Sequence, residues 1–534
     1  FNISLLTLRL VQHAGARPYP LVLSGAFLWE DFHFPIQVIN VLLTSLVVFP
    51  VYAIARRYLD MRKSLLLGGL VLLLPFQFTM PAYIMSENLF LPLVMMALSV
   101  ISRPFANSRT AVAGQILLGG ILCGMVFLTR YQGLAAVGAF ALYLVFKCFY
   151  FERGTIGRLF PVAARLGLVA LFVAVFLASV AVWLIADTPG RQGMMVRVAS
   201  FLTYPKGTKE FRGAQFVQWV VWYLAYMLLA LAPFVLPLLV RAKNLVGDAL
   251  RKEHGGLFCL CFLLCGALGF LAVRHSYSAD YNRPTAGYIL GRYIACVIPI
   301  LAVCLFIAMF SGRGRPVKKR TWGIAVFPAV ALLVLAYFTL LGKLGMAKKI
   351  NYRMGFVSDI NAPDVMVYRV YGMAALVAGI VAIVLVGLVY VLNARKPMPL
   401  LAAILLGYYA AADTGILASR IQAADTPAIT FAVYRQLDTE AMVIAVVNAS
   451  NMDSTTLPAR LYFWDMRGVQ FAVEPYWQGA VTFDDRAAYV LSAVPYYGAE
   501  ETGLHFYKLP LDKGRLTEEG LAEAAAYVLP MDAE

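Results

Sequence analysis

Between residues 33 and 415 apolar residues run for about sixteen to twenty-five positions at a stretch, without the three-and-four alternation of a surface helix. More polar segments, some short and some of up to 30 residues, separate the runs. They fall near 33–55, 64–80, 86–101, 111–129, 132–149, 163–185, 216–240, 256–273, 291–310, 321–341, 369–392 and 399–415. A helix rises 1.5 Å per residue, so about 20 apolar residues cover the hydrocarbon core of a bilayer. The pattern predicts about twelve transmembrane helices, with 64–80 and 86–101 among the shorter runs. Beyond 415 the pattern changes. "AMVIAVVNA" (441–449), "RLYFWDM" (460–466) and "HFYKLP" (505–510) have the composition of strands, while 425–436 and 516–527 suit helices. The chain is expected to divide into a transmembrane module, 1–415, and a small α/β domain, 416–534. The second region carries no P-loop, Rossmann glycine set, His-Glu-x-x-His or Cys-x-x-Cys spacing.

Composition agrees with the periodicity. Of 534 residues 61% are apolar and 14% charged, against about 25% charged in ordinary soluble proteins, and mean hydropathy is +0.74. The seven cysteines lie in apolar runs or at their edges, where they read as packing residues and suggest no disulfide framework. A net charge of +16 would fit a nucleic-acid partner if it were gathered in a polar domain. Instead residues 1–415 hold 37 basic and 13 acidic side chains, and 416–534 hold 8 and 16. The basic excess belongs to the membrane part, where it orients the chain and attracts anionic membrane lipid; no nucleic acid is expected as partner.

Alternate connections contain "RRYLDMRK", "SRPFANSR", "KCFYFERGTIGR", "RAKNLVGDALRK", "SGRGRPVKKR" and "ARKP". The positive-inside rule places these in the cytoplasm, so the other connections and the C-terminal region face outward. Phe1 stands where a start methionine would be, and a helix ahead of it would raise the count to thirteen.

The stretch "MPAYIMSENLFLPLVMM" (80–96) carries Glu87 at the outer end of a span. A partly desolvated carboxylate there could take a proton from a hydroxyl or hold a divalent ion; a helix N-terminal cap is the plainer alternative. Glu30 and Asp31 precede the first span, either as a second acidic contribution to the same cleft or as an ordinary interfacial pair. Arg130, in "FLTRYQGL", stands alone among apolar residues from 110 to 146. It could clamp a phosphate, with Gln132 beside it for hydroxyls, or simply snorkel to headgroups. The segment "VRHSYSADYNRPTAGYILGRYIACVIP" (273–299) places Arg274, His275, Asp280, Arg283 and Arg292 in one outward loop and the start of the next span, among tyrosines that include Tyr293. Arginines with aromatic neighbours at headgroup level suit a lipid-linked phosphate.

These stretches also carry a resemblance. "RPYPLVL", "QVINVLLTSLVVFPVYAIARRYL", "PAYIMSENLFLPLVMMAL", "FLTRYQGL" and "LGRYIACVIPILAV" occur in the order found in polytopic GT-C glycosyltransferases that use polyprenyl-phosphate sugars. The chain is similar in particular to the bacterial group related to protein mannosyltransferases and the lipid A aminoarabinose transferase. The resemblance covers most of residues 15–310. It implies a multi-pass protein of the bacterial cytoplasmic (inner) membrane, with an extracytoplasmic active site and inverting transfer to a lipid, glycan or protein acceptor. The family's second-loop acidic position falls on Glu87, and its arginine–tyrosine pair near the donor phosphate falls on Arg292 and Tyr293. The chain departs from the family at the first-loop aspartate: nothing before Glu30 is acidic. That residue either lies upstream of Phe1 or is replaced by Glu30 or Asp31. No cofactor is certain, and magnesium or manganese remains open. A lipid-linked glycan polymerase or ligase would share the arginines, and a transporter the span count. The transporter lacks support from any inverted repeat in the sequence.

Overall fold

The structure, a computed structural model, describes residues 18–28, 33–74, 77, 81, 86–186, 213–249, 255–282, 294, 296–310, 318–346, 373–392, 399–410, 443–446, 470–473, 487–491, 500–503 and 506–508. The chain divides into two compact units, Phe1–Ile416 and Leu417–Glu534.

The first unit is helical among its described residues. In order it contains α1 (Pro18–Leu23) with a following 3-10 turn (Ser24–Leu28), α2 (His33–Ser45), α3 (Val48–Ala55), α4 (Met61–Leu72), α5 (Glu87–Ser102), α6 (Arg109–Thr129) and α7 (Gly133–Phe146). Then come α8 (Arg153–Leu159), α9 (Val162–Ala186), α10 (Gly213–Ala230), α11 (Ala232–Ala249), α12 (Gly255–Asn282), α13 (Val297–Phe310), α14 (Lys319–Met346), α15 (Met373–Val391) and α16 (Pro399–Ala410). Each apolar run in the sequence carries helix. Among the described residues seven helical stretches are long and apolar enough to cross a membrane: Phe34–Ala55, Arg109–Thr129, Gly133–Phe151, Val162–Trp183, Gly213–Ala230, Gly256–Arg274 and Lys319–Leu340. Large apolar side chains are exposed along many of them; Phe327 is 81% exposed and Phe262 78%. In water such a surface would aggregate, whereas lipid is its natural solvent. The chain is a polytopic membrane protein.

Two expectations are corrected. The run at 216–240 is not one helix, because it breaks at Leu231 between α10 and α11. Pro233 has no N–H to offer the Leu229 carbonyl, and the Phe234 N–H turns to Leu231 O at 2.8 Å, leaving Ala230 O without its helical donor. Tyrosines from α16 supply the missing donors: the Tyr408 hydroxyl donates to Leu229 O, and that of Tyr409 to Ala230 O at 3.5 Å. The second correction concerns 274–282, expected as a loop, which continues α12 to Asn282. No proline interrupts that stretch until Pro284, which disfavours helix for the residue before it.

In the second unit five strands form one sheet: β1 (Val443–Val446), β2 (Gln470–Val473), β3 (Ala487–Leu491), β4 (Glu500–Gly503) and β5 (Phe506–Lys508), in the order β2-β1-β3-β5-β4. β1 runs parallel to both β2 and β3, and β5 is antiparallel to β3 and β4. β1 and β5 lie within the expected strand segments 441–449 and 505–510. The expected strand at 460–466 and helices at 425–436 and 516–527 fall outside the described residues.

α5 lies at the centre of the first unit, with all but two of its side chains buried. Cationic and amide side chains close its C-terminal end. Arg57 donates to Ser99 O at 2.7 Å, Gln115 to the carbonyls of Val100 and Arg103 at 2.8 Å each, and Lys147 to Ile101 O at 2.8 Å and to Arg103 O. The last carbonyls of a helix lack intrahelical donors and carry negative partial charge, so these groups satisfy both needs. Lys147 is fully buried; its Nζ lies 3.6 Å from Glu152 Oε1 and 4.0 Å from the centre of the Phe105 ring. Glu152 in turn accepts from Phe105 N at 2.6 Å.

The neighbouring helix α6 meets α9 through Gly120 and Gly124, a Gly-x-x-x-Gly spacing that lets two helices approach closely in a membrane. A Cβ on Gly124 would stand 2.6 Å from Ser179 Cβ, whereas one on Gly138 would meet open space. Gly124→Ala should therefore lower the melting temperature in detergent, since overpacking costs about 1–3 kcal/mol. Gly138→Ala should leave it unchanged or raise it, alanine being better in a helix by about 1 kcal/mol. Lys147→Met should also lower it, because the Ile101 and Arg103 carbonyls and the Glu152 carboxylate lose their cation, at about 1–3 kcal/mol for each buried group left unsatisfied.

Candidate functional site

At the opposite end of α5 stands Glu87, the first helical residue, with its side chain 4% exposed. Its carboxylate forms an ion pair with the Arg130 guanidinium, through Oε1 and Nη1. The backbone explains the encounter. Arg130 is the C-cap of α6, which packs beside α5, and a short connection of Arg130, Tyr131 and Gln132 leads into α7. Gly133 N–H donates to Arg130 O at 2.8 Å to close that turn. A Cβ on Gly133 would lie 2.8 Å from Val126 O, so the turn is tight enough to require glycine. The N-terminus of α5 favours an anion and the C-terminus of α6 a cation, so both helix dipoles support this polarity.

Ser86 makes no side-chain cap to α5, and the Glu87 carboxylate meets an arginine. Arg130, 13% exposed, turns inward to Glu87 and does not extend away along the surface. A lone charge at the middle of a membrane helix is unfavourable by roughly 2.5–3.5 kcal/mol on insertion scales. Pairing gives each buried charge a counter-ion.

A row of buried polar side chains adjoins the pair. The Tyr19 hydroxyl donates to Asn40 Oδ1 at 2.9 Å, Asn40 Nδ2 donates to Pro81 O at 3.3 Å, and Thr44 Oγ1 donates to Asn88 Oδ1 at 3.1 Å. Asn40, Thr44 and Asn88 are all buried. Sequence reasoning missed this row, though a signal existed: Asn40 and Thr44 are four residues apart, on one face of a largely apolar helix, and Asn88 adjoins Glu87. Cys296 is buried just ahead of α13.

Of the remaining candidates, Gln132 lies half-buried in the turn after Arg130. Arg274, His275 and Asp280 lie on α12, with Arg274 half-buried. Beside them Ser276 Oγ and the Tyr223 hydroxyl of α10 are 2.7 Å apart, and Tyr277 is buried against Phe216. Glu30, Asp31, Arg283, Arg292 and Tyr293 fall outside the described residues. Among the described residues no three His, Cys, Asp or Glu side chains gather as metal ligands.

No protein-family model and no curated protein matches the chain. Two solved structures do. The crystal structure of ArnT from Cupriavidus metallidurans bound to undecaprenyl phosphate is similar at 17% identity and a TM-score of 0.51, over 86% of this chain and 76% of that one. The apo structure of the same protein gives 18% and 0.52, over 85% and 75%. At this identity the likeness is one of architecture. The chain shares the polytopic helical membrane fold of ArnT from Cupriavidus metallidurans.

Proposed function

We propose that this protein transfers a single sugar from a polyprenyl-phosphate donor to an acceptor hydroxyl at the outer face of the bacterial inner membrane, with inversion at the anomeric carbon. The observation that carries this reading is the buried Glu87–Arg130 pair, a proton acceptor and a phosphate ligand side by side in a GT-C fold. That the similar ArnT structure holds undecaprenyl phosphate supports a donor of the same class. The positive-inside distribution of loop charge supports about twelve spans, with the Glu87 end outward and the 416–534 region as a small extracytoplasmic α/β domain.

In this mechanism the polyprenyl tail lies in lipid and its phosphate meets arginines. Arg292 is the principal one, with Arg130, Arg283 and Arg274 as further contributors and Tyr293 beside them. Gln132, His275 and Asp280 are available to sugar or acceptor hydroxyls. Glu87 accepts the acceptor's proton while the acceptor oxygen bonds to the anomeric carbon; Glu30, Asp31 or an upstream aspartate is the second acidic candidate. The bond from that carbon to phosphate oxygen breaks, and the electron pair leaves on polyprenyl phosphate, which arginine stabilises. The acceptor is a lipid, glycan or protein.

Purified full-length protein should release free polyprenyl phosphate from a panel of polyprenyl-phosphate sugars in the presence of a membrane-lipid extract, as followed by mass spectrometry. Glu87→Gln and Arg292→Ala should each depress that release tenfold or more, a loss of about 1.4 kcal/mol or more of transition-state stabilisation. Release indifferent to both substitutions would overturn the residue roles. Sugar passed across the membrane without release would favour a transporter.

A further inference from the structure

We infer that Arg130 is a counter-ion shared in turn by Glu87 and the departing phosphate, so that proton uptake at one site releases the cation to the other. This rests on the transfer reading above and deepens it. The starting point is the ion pair itself: a carboxylate buried at the head of α5 whose oxygen faces a guanidinium at the foot of α6. A static pair of this kind would serve neither partner's chemistry. The arginine would be neutralised when phosphate arrives, and the carboxylate would be occupied when a hydroxyl must be deprotonated.

Charge conservation shows how both roles are reconciled. The donor is a phosphodiester with one negative charge. With Glu87 ionised and Arg130 protonated, the site carries a net charge of −1 together with the donor. Transfer moves one proton from the acceptor to Glu87 and one electron pair to the leaving phosphate. Glu87 is then neutral, Arg130 is still a cation, and the fully ionised phosphomonoester carries two negative charges, so the total is unchanged. Only the location of the negative charge has moved, from the carboxylate to the phosphate. A guanidinium is a planar fork of five donors and binds carboxylate and phosphate oxygens alike. It need only rotate its donors from one anion to the other to follow that charge.

The placement of Arg130 suits such an exchange. Its side chain is more exposed than that of Glu87, 13% against 4%, so it is the more accessible partner for a ligand. It sits at the end of a helix in a three-residue connection, where χ rotation does not disturb a helix interior. Glu87, by contrast, is held within the first turn of a buried helix. The cation is therefore the mobile member and the carboxylate the fixed one. Because a low-dielectric surrounding strengthens both interactions, the exchange also discriminates strongly between the states before and after transfer.

The test uses full-length protein in nanodiscs and undecaprenyl phosphate as the probe, with affinity read by equilibrium titration. Glu87→Gln mimics the protonated carboxylate, removes the anion that competes with phosphate for Arg130, and should tighten undecaprenyl phosphate binding threefold or more over wild type. Glu87→Ala removes the same charge with a different shape and carries the same expectation. Arg130→Gln should weaken binding threefold or more, and the Glu87→Gln gain should vanish in the Arg130→Gln background. In turnover, Glu87→Gln should lower kcat while lowering the donor KM, whereas Arg130→Gln should raise KM. A thermal melt of each variant identifies any that fails to fold. A purely structural ion pair predicts the opposite sign, weaker or unchanged binding when Glu87 is neutralised, and that result overturns the inference. So does a gain that persists without Arg130, which would mean simple relief of charge repulsion. Wild-type protein that does not bind undecaprenyl phosphate would instead overturn the transfer reading itself.

Discussion

A single buried helix, Glu87–Ser102, has both of its ends tied by charge, and the rest of the membrane unit is arranged around that fact. Its first residue is an acid paired with Arg130, and its last carbonyls receive Arg57, Gln115 and Lys147. Negative charge at the N-terminus and positive charge at the C-terminus both follow the helix dipole. The larger effect is desolvation. Helix ends expose groups without intrahelical partners, and in a membrane interior each such group left unmet is unfavourable by several kcal/mol. Because the helix is buried almost throughout, its partners must come from neighbouring segments. That need brings the turn after α3, the first turns of α6 and the end of α7 to one end of it, and the α6–α7 turn to the other.

The close packing that delivers those partners has its own requirements. α6 can reach α5 with Gln115 at one end and Arg130 at the other only if it is not pushed aside by α9. Gly120 and Gly124 remove the side chains that would do so, and Gly133 allows the chain to reverse directly after Arg130. The same logic governs the break at Leu231. Pro233 removes a donor that lipid cannot replace, and Tyr408 and Tyr409, far along the chain, restore it. Polar side chains in this bundle therefore act as substitutes for water at the places where the backbone cannot satisfy itself.

The difference between what was readable in the sequence and what was not follows from this division. Helix-forming runs were legible because apolar length is a local property, and each of them carries helix. The break at Leu231 was hidden within one apolar run, since Pro233 alone does not decide between a kink and a break. The continuation of α12 to Asn282 was hidden because a polar stretch reads as a connection when its packing partner, α10, is far away in sequence. Of the strands, Val443–Val446 announces itself by β-branched residues, whereas Glu500–Gly503 is polar throughout and is a strand only because Phe506–Lys508 pairs with it. Glu87 and Arg130 each stood out as a charge in apolar surroundings. Their pairing could not be read, since 43 positions separate them and only the antiparallel packing of α5 and α6 brings them together.

The chemistry available to the site depends on that same antiparallel arrangement. Two adjacent antiparallel helices place the N-terminus of one beside the C-terminus of the other, so an acidic and a basic side chain are each stabilised where they stand. The pair is net neutral, which permits its burial, yet it consists of one group suited to accept a proton and one suited to hold phosphate oxygens. Separating these tasks between two distant residues would leave each buried charge to be desolvated without a counter-ion. Keeping them together lowers that penalty in the absence of substrate and, under the proposed transfer, would bring both functions to one reacting bond. Such a site must remain stable without ligand and become reactive with it, and a neutral ion pair that a phosphate could divide would meet both conditions.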